Sequence, residues 1–214
     1  MYNIELFKFL VKNGFNCENF NKNSEGNLLK MAINLQKGQR ENINSPRFTI
    51  GLGWDTNESS TGQGFDLDAS VFVLGENKKL LSDGHFIFYN NLSSPDAAVI
   101  HTGDNLTGDG DGDDEQVNVD LGKIDSNASE ICIVVTIHDA EVRKQNFGQV
   151  RNSFIRIFDT NTNQEILKYE LDEDFSIETA VEFGRIYKRN NEWKFEAVGM
   201  GMKGGLQDYL NKYN

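Results

Sequence analysis

One stretch of this chain can be neither helix nor strand. Residues 102–115 read TGDNLTGDGDGDDE, with six carboxylates (Asp104, Asp109, Asp111, Asp113, Asp114 and Glu115) in twelve residues and glycines at 103, 108, 110 and 112. The glycines forfeit the side-chain packing a strand needs and are unfavourable in a helix interior. Like charges at this density repel any compact arrangement that lacks a counter-ion. The run is therefore a loop. Its flanks, Val99-Ile100-His101 before it and Gln116 to Leu121 after it, alternate in hydrophobicity and read as strands. Asn105 adds an amide oxygen.

A loop of oxygen donors threaded with glycine is chemistry for a hard cation. Calcium takes about six to eight oxygens from flexible loops, whereas magnesium keeps more of its water. Softer metals want cysteine or histidine clusters, and His85, His101 and His138 are not spaced as one. Asp109, Asp111 and Asp113 imitate the start of an EF-hand, but Asp114 stands where the turn glycine is required and Asp120 where the closing glutamate is required. The EF-hand is excluded. An acidic loop serving solubility alone leaves the four glycines unexplained.

Asp66 and Asp68 form a second acidic element. In the alternating run Phe65–Leu74, Phe65, Leu67, Ala69, Val71 and Val73 face one way, and Asp66, Asp68, Ser70 and Phe72 the other. The two carboxylates, about 6.8 Å apart along a strand, are expected to complete a coordination sphere from across a cleft. Asp55 is either part of the same rim or a turn cap, and Asp83 and Asn90 are weaker candidates. Nothing resembles a catalytic constellation: there is no nucleophile elbow or phosphate-binding loop. His138 and Asp139 are neighbours whose side chains a continuing strand sends to opposite faces. His101, beside the acidic loop, reads as packing at a strand end.

Composition narrows the class. The net charge of −12 disfavours nucleic acid and anionic membrane as partners. No stretch approaches the roughly 20 apolar residues of a membrane span, and Met1–Leu10 carries Glu5 and Lys8 without a cleavage site behind it. A cytoplasmic protein is expected. Cys17 and Cys132 make no disulfide framework; Cys132, inside EICIVVTIHD, reads as a reduced core thiol.

Residues 1–30 are set apart, with a short amphipathic helix stopped at Gly14 and then an Asn- and Lys-rich linker. The main domain is assigned to 31–214. Strands are expected at MAINLQKG, 48–54, 65–74, 85–89, 99–101, 116–121, 131–138, 154–158 and 166–171, with a hairpin of 179–187 and 193–199 across KRNN. A short helix is expected within 140–150 and a last helical turn at 204–209. The fold class is all-β: a two-sheet antiparallel β-sandwich of roughly ten strands with short peripheral helices.

Residues 31 to about 210 resemble the TerD family of tellurium-resistance and stress-response proteins. The matching segments include GLGWD, GFDLDASVFVLG, SDGHFIFYNN, HTGDNLTGDGDGDDEQVNVDL, VTIHDAEVRKQNFGQV and ETAVEFGRIYKRNNEWKFEAVGMGMKGGL. The resemblance implies a β-sandwich that binds two calcium ions in adjacent acidic loops. Asp66, Asp68, Asp104, Asn105, Asp109, Asp111, Asp113, Asp114 and Glu115 fall on the family's acidic motifs. Family members are linked to tellurite resistance and chemical stress, and the main expectation for this chain is a calcium-binding interaction or sensing module with protein partners in a stress response, not an enzyme. Two alternatives remain open: a small-molecule (cyclic nucleotide) binder, with a concave site lined by aromatics such as Trp54 or Tyr89, and a calcium-dependent enzyme acting on an anionic substrate. The chain departs from the usual short members in its N-terminal extension, its short polar 55–64 loop and His85.

Overall fold

The computed structural model describes residues 32–55, 64–103, 112–171, 173 and 175–214. The N-terminal extension, the centre of the acidic run and residues 56–63 lie outside them. The described residues form twelve strands: β1 Ile33–Leu35, β2 Arg40–Asn42, β3 Arg47–Gly53, β4 Leu67–Leu74, β5 Phe86–Ile87, β6 Val99–His101, β7 Glu115–Asp120, β8 Glu130–Ile137, β9 Phe154–Asp159, β10 Glu165–Glu170, β11 Ala180–Arg189 and β12 Glu192–Met202. One sheet runs β1-β10-β9-β3-β7-β6 and the other β2-β12-β11-β8-β4-β5. The expected all-β sandwich with short peripheral helices is the fold.

Alternation builds the core. Phe48, Ile50 and Leu52 of β3, Val117 and Val119 of β7, and Ile155 and Ile157 of β9 face Leu67, Ala69, Val71 and Val73 of β4 and Ile131, Ile133 and Val135 of β8. The second sheet also has a covered outer face. There Phe72, Leu74, Phe86, Cys132, Val134 and Ala180 pack under helix α2, Leu206–Tyr213, through Tyr209 and Tyr213. Every residue of β4 and β8 is consequently buried, which is why the 131–138 segment reads as continuously apolar. Its central position holds: β8 lies between β11 and β4. None of the helices among the described residues is long and apolar enough to cross a membrane.

Several expectations are corrected. The 85–89 segment is not one strand: Asp83–His85 is a 3-10 turn, and only Phe86–Ile87 pairs, with Val71 and Phe72. The strand within MAINLQKG runs parallel to β10, the one parallel strand pairing among the described residues. The short helix α1 covers only Ala140–Arg143, followed by a 3-10 turn at Phe147–Gln149. The last helical turn is a full eight-residue helix because its apolar stripe has an outer sheet face to cover.

Candidate metal centre

Strand register decides where the acidic run re-enters the sandwich. Gly51 of β3 lies between Gln116 of β7 and Arg156 of β9. With no side chain at 51, a niche opens there, and Asp113 fills it: a Cβ built on Gly51 would sit 2.3 Å from the Asp113 carboxylate carbon. The Arg156 guanidinium donates to both Asp113 oxygens, Nε to Oδ1 at 2.6 Å and Nη2 to Oδ2 at 3.0 Å. Gln116 Nε2 donates to Oδ2 at 3.0 Å. The Asp113 side chain is 0% exposed although its backbone is half-open. Hydrogen bonding to Asp113, opposed by burial, holds the Arg156 pKa above its ordinary value.

Asp114 and Glu115 go elsewhere. The Asp114 amide donates to the Leu52 carbonyl at 2.7 Å, and its Oδ2 accepts the Trp54 amide at 3.0 Å. Glu115 opens β7 facing inward, buried, and reaches the other sheet, where Oε2 accepts the Ala69 amide at 2.6 Å. That amide points to the β4 edge, and β5 pairs only with Val71 and Phe72. The glutamate thus satisfies an edge group that no strand among the described residues reaches. Buried His101 lies beside it, Nε2 at 3.7 Å from Glu115 Oε2, while its Nδ1 accepts the Gly103 amide at 3.2 Å. Accepting at Nδ1 leaves Nε2 as the protonated nitrogen facing the carboxylate.

Asp66 and Asp68 lie at the start of β4 on the outer side, as the alternation requires, and are only 4% and 5% exposed. Arg143 Nη2, from α1, donates to Asp66 Oδ2 at 3.2 Å. His138 Nδ1 is 3.6 Å from Asp68 Oδ2, and its Nε2 is 3.6 Å from Asp139 Oδ2. The expectation that His138 and Asp139 point apart is therefore wrong: β8 ends at Ile137, and Asp139 turns into the left-handed region at φ 49°. Tyr89 meets the His138 ring edge-on at 6.4 Å.

The structure thus distributes the described candidates. Asp113 sits on the outside of the first sheet, Glu115 crosses between the sheets, and Asp66 and Asp68 lie on the outside of the second. Among the described residues no group of three or more His, Cys, Asp or Glu side chains could hold a metal. Asp104, Asn105, Asp109 and Asp111 lie outside the described residues. Asp55 follows β3 and ties it to the segment before β9, its amide donating to Arg151 O at 3.1 Å and its Oδ2 accepting from Asn152 Nδ2 at 2.5 Å. Asp83 opens the 3-10 turn. The donor chemistry is uniformly oxygen, which fits a hard cation and no soft one. Sequence reasoning missed Arg143 and Arg156, which among the described residues pair with Asp66 and Asp113. The signal for Arg156 was present: a charged residue alternating with apolar ones in FIRIF, on a strand beside Gly51.

The TerD domain model matches residues 31–213. This chain belongs to the TerD family. Three bacterial relatives align over 188 residues, 86% of this chain. The uncharacterized protein YceE of Bacillus subtilis is 53% identical with 98% of its length covered, and general stress protein 16U of the same organism is 50% identical with 97% covered. Tellurium resistance protein TerD of Serratia marcescens is 48% identical with 97% covered. Among solved structures, a Streptomyces coelicolor homologue of telluride resistance protein superposes with a TM-score of 0.61 at 17% identity. It covers 77% of this chain and 94% of its own, and shares the TerD fold.

Proposed function

We propose that this TerD-family chain is a calcium-binding module of a cytoplasmic stress response, working as an interaction or sensing element without catalysis. The observation that carries the reading is the burial of carboxylates at both acidic elements: Asp66, Asp68 and Glu115 are each no more than 5% exposed. Buried carboxylates are retained where they are paired or meet a metal. The acidic run itself carries more charge than Arg143 and Arg156 offset.

In this reading the oxygen donors for two ions are drawn from Asp66, Asp68, Asp104, Asn105, Asp109, Asp111, Asp113, Asp114 and Glu115. Bound calcium supplies positive charge that clustered carboxylates need in order to lie close together. Asp68 contributes from the fully buried strand β4, Asp66 from the residue before it and Glu115 from the start of β7, so the pool is anchored on both sheets. A protein partner that prefers the ion-loaded surface must, by linkage, tighten ion binding by the same factor. The names of the relatives, general stress protein and tellurium resistance protein, support a stress role. A cleft of about 970 Å³ lined by Asn77, Asn127, Lys188, Asn190 and Asn191 among others has no aromatic lining. It offers a nucleobase nothing to stack on, so the small-molecule alternative gains no support there.

Calorimetric titration with calcium chloride tests the reading. The wild type is expected to bind, and an Asp104→Ala/Glu115→Ala double variant to lose most of that affinity. Equal affinity in both would sink the assignment.

A further inference from the structure

We propose that Asp113, although it lies within the acidic run, takes no part in coordinating a cation and is the fixed post from which the run is held, with Arg156 as its positioning residue. This rests on the calcium reading and divides its donors by role.

Four observations carry it. Both carboxylate oxygens are engaged: Oδ1 accepts from Arg156 Nε at 2.6 Å, and Oδ2 from Arg156 Nη2 and Gln116 Nε2, both at 3.0 Å. Bidentate pairing of this kind is the strongest and most directional use of a carboxylate short of a metal. The seat is prepared by the backbone, since any side chain at Gly51 would occupy the space of the carboxylate. The arginine is itself held, donating from Nη1 to Glu165 Oε2 at 3.3 Å and lying 5.0 Å over the Phe158 ring. Finally, the direction is wrong for a ligand shared with its neighbours. Asp113 faces the outside of the first sheet, whereas Glu115, two residues on, reaches Ala69 of the second. Three of the four lone-pair directions of the carboxylate are taken, and the side chain is 0% exposed, so a cation could reach Asp113 only if its seat against β3 opened. Asp66, by contrast, meets Arg143 through one nitrogen at 3.2 Å.

The consequence is mechanical. The Asp113 seat fixes residues 112–114 against β3, and the Asp114 amide then bonds Leu52 O and its carboxylate the Trp54 amide. Glu115 is delivered to β4 from that fixed point.

The two roles predict opposite signs for one substitution. If Asp113 is a post, Arg156→Gln weakens calcium binding, in the range of about 10–100-fold typical of residues that orient ligands. Asp113→Asn does the same, and the double variant is no weaker than either single one, because both remove one device. Arg156→Lys, which keeps the charge but not the fork, falls between wild type and Arg156→Gln, and serves where the glutamine variant does not fold. If Asp113 is a ligand held back by Arg156, Arg156→Gln frees it and calcium binds as tightly as in wild type or tighter. That result, by calorimetry on the full chain, overturns the proposal while leaving the calcium reading intact. A wild type that takes up no calcium overturns the calcium reading instead. Amide hydrogen exchange without calcium then decides the post by itself: the Asp114 amide must exchange faster in Arg156→Gln, and unchanged exchange there overturns it.

Discussion

Glu115 offers a clean separation of stability from ion binding. It is 2% exposed and its Oε2 accepts the Ala69 amide, itself on a residue 5% exposed, at 2.6 Å. Truncation to alanine leaves that amide buried with no acceptor, at about 1–3 kcal/mol. It also removes one buried methylene, worth about 0.8 kcal/mol. Against these stands relief from keeping a carboxylate out of water. A net loss of about 2 kcal/mol is expected, a fall in melting temperature of about 4–8 °C for a chain of this size. Glu115→Gln keeps an amide oxygen for Ala69 and should cost less than about 1 kcal/mol. The assay is urea unfolding in excess chelator, followed by circular dichroism, with an unchanged slope confirming that the unfolded state is the same. With calcium present the gap to wild type widens for both variants, which lose the ion-linked increment, so glutamine resembles wild type only in chelator. An alanine variant within about 0.5 kcal/mol of wild type in chelator, inside the range of ordinary surface substitutions, refutes the role of Glu115 as a tie between the sheets. A glutamine variant as damaged as the alanine one refutes the hydrogen-bond reasoning.

Three further outcomes are expected. Gly51→Ala should lose about 1–3 kcal/mol by displacing the Asp113 carboxylate, and lose less in an Asp113→Gly background, which thermal melts of the three variants will resolve. Burial raises the Glu196 pKa, but hydrogen bonds from Arg40 and Arg185 outweigh it and hold the carboxylate below its ordinary value. Its contribution to stability is therefore complete above the unfolded value of about 4.3 and disappears as pH falls through the folded one; Glu196→Gln should flatten the acid limb of the urea midpoint against pH. Burial pushes the Tyr213 phenol well above its ordinary value, with its hydroxyl 3.1 Å from Cys132 Sγ and 3.2 Å from Glu182 Oε2. Stability from that group is intact below the unfolded value of about 10 and is lost at higher pH, so Tyr213→Phe should move alkaline unfolding upward in a pH titration of the circular dichroism signal.

Much of the sandwich was legible because a half-buried strand leaves a period of two. The two faces of β4, with Leu67, Ala69, Val71 and Val73 inward and Asp66, Asp68 and Ser70 outward, follow directly from that alternation. The 85–89 segment misled because its apolar, aromatic run HFIFY has a strand's composition, but only two of its residues find a partner strand. His138 and Asp139 misled because one left-handed residue ends the strand and reverses a direction that periodicity had assigned. The outer apolar face of β4 and β8 was visible only as an unusually apolar segment, since its cover, α2, lies at the far end of the chain.

By itself the sequence determined the local rules: strands where residues alternate, loops where glycine and like charge exclude anything else, and a donor set made of oxygen. Those are properties of neighbouring residues, and neighbouring residues carry them. The tertiary structure alone decided which carboxylate does what. Asp113, Asp114 and Glu115 are consecutive and chemically alike, yet one is clasped by Arg156, one takes the Trp54 amide and one crosses to Ala69. Those partners lie 43, 60 and 46 residues away. Only the pairing of strands brings such distant groups within a hydrogen bond, because burial penalises a carboxylate until a particular donor is placed against it.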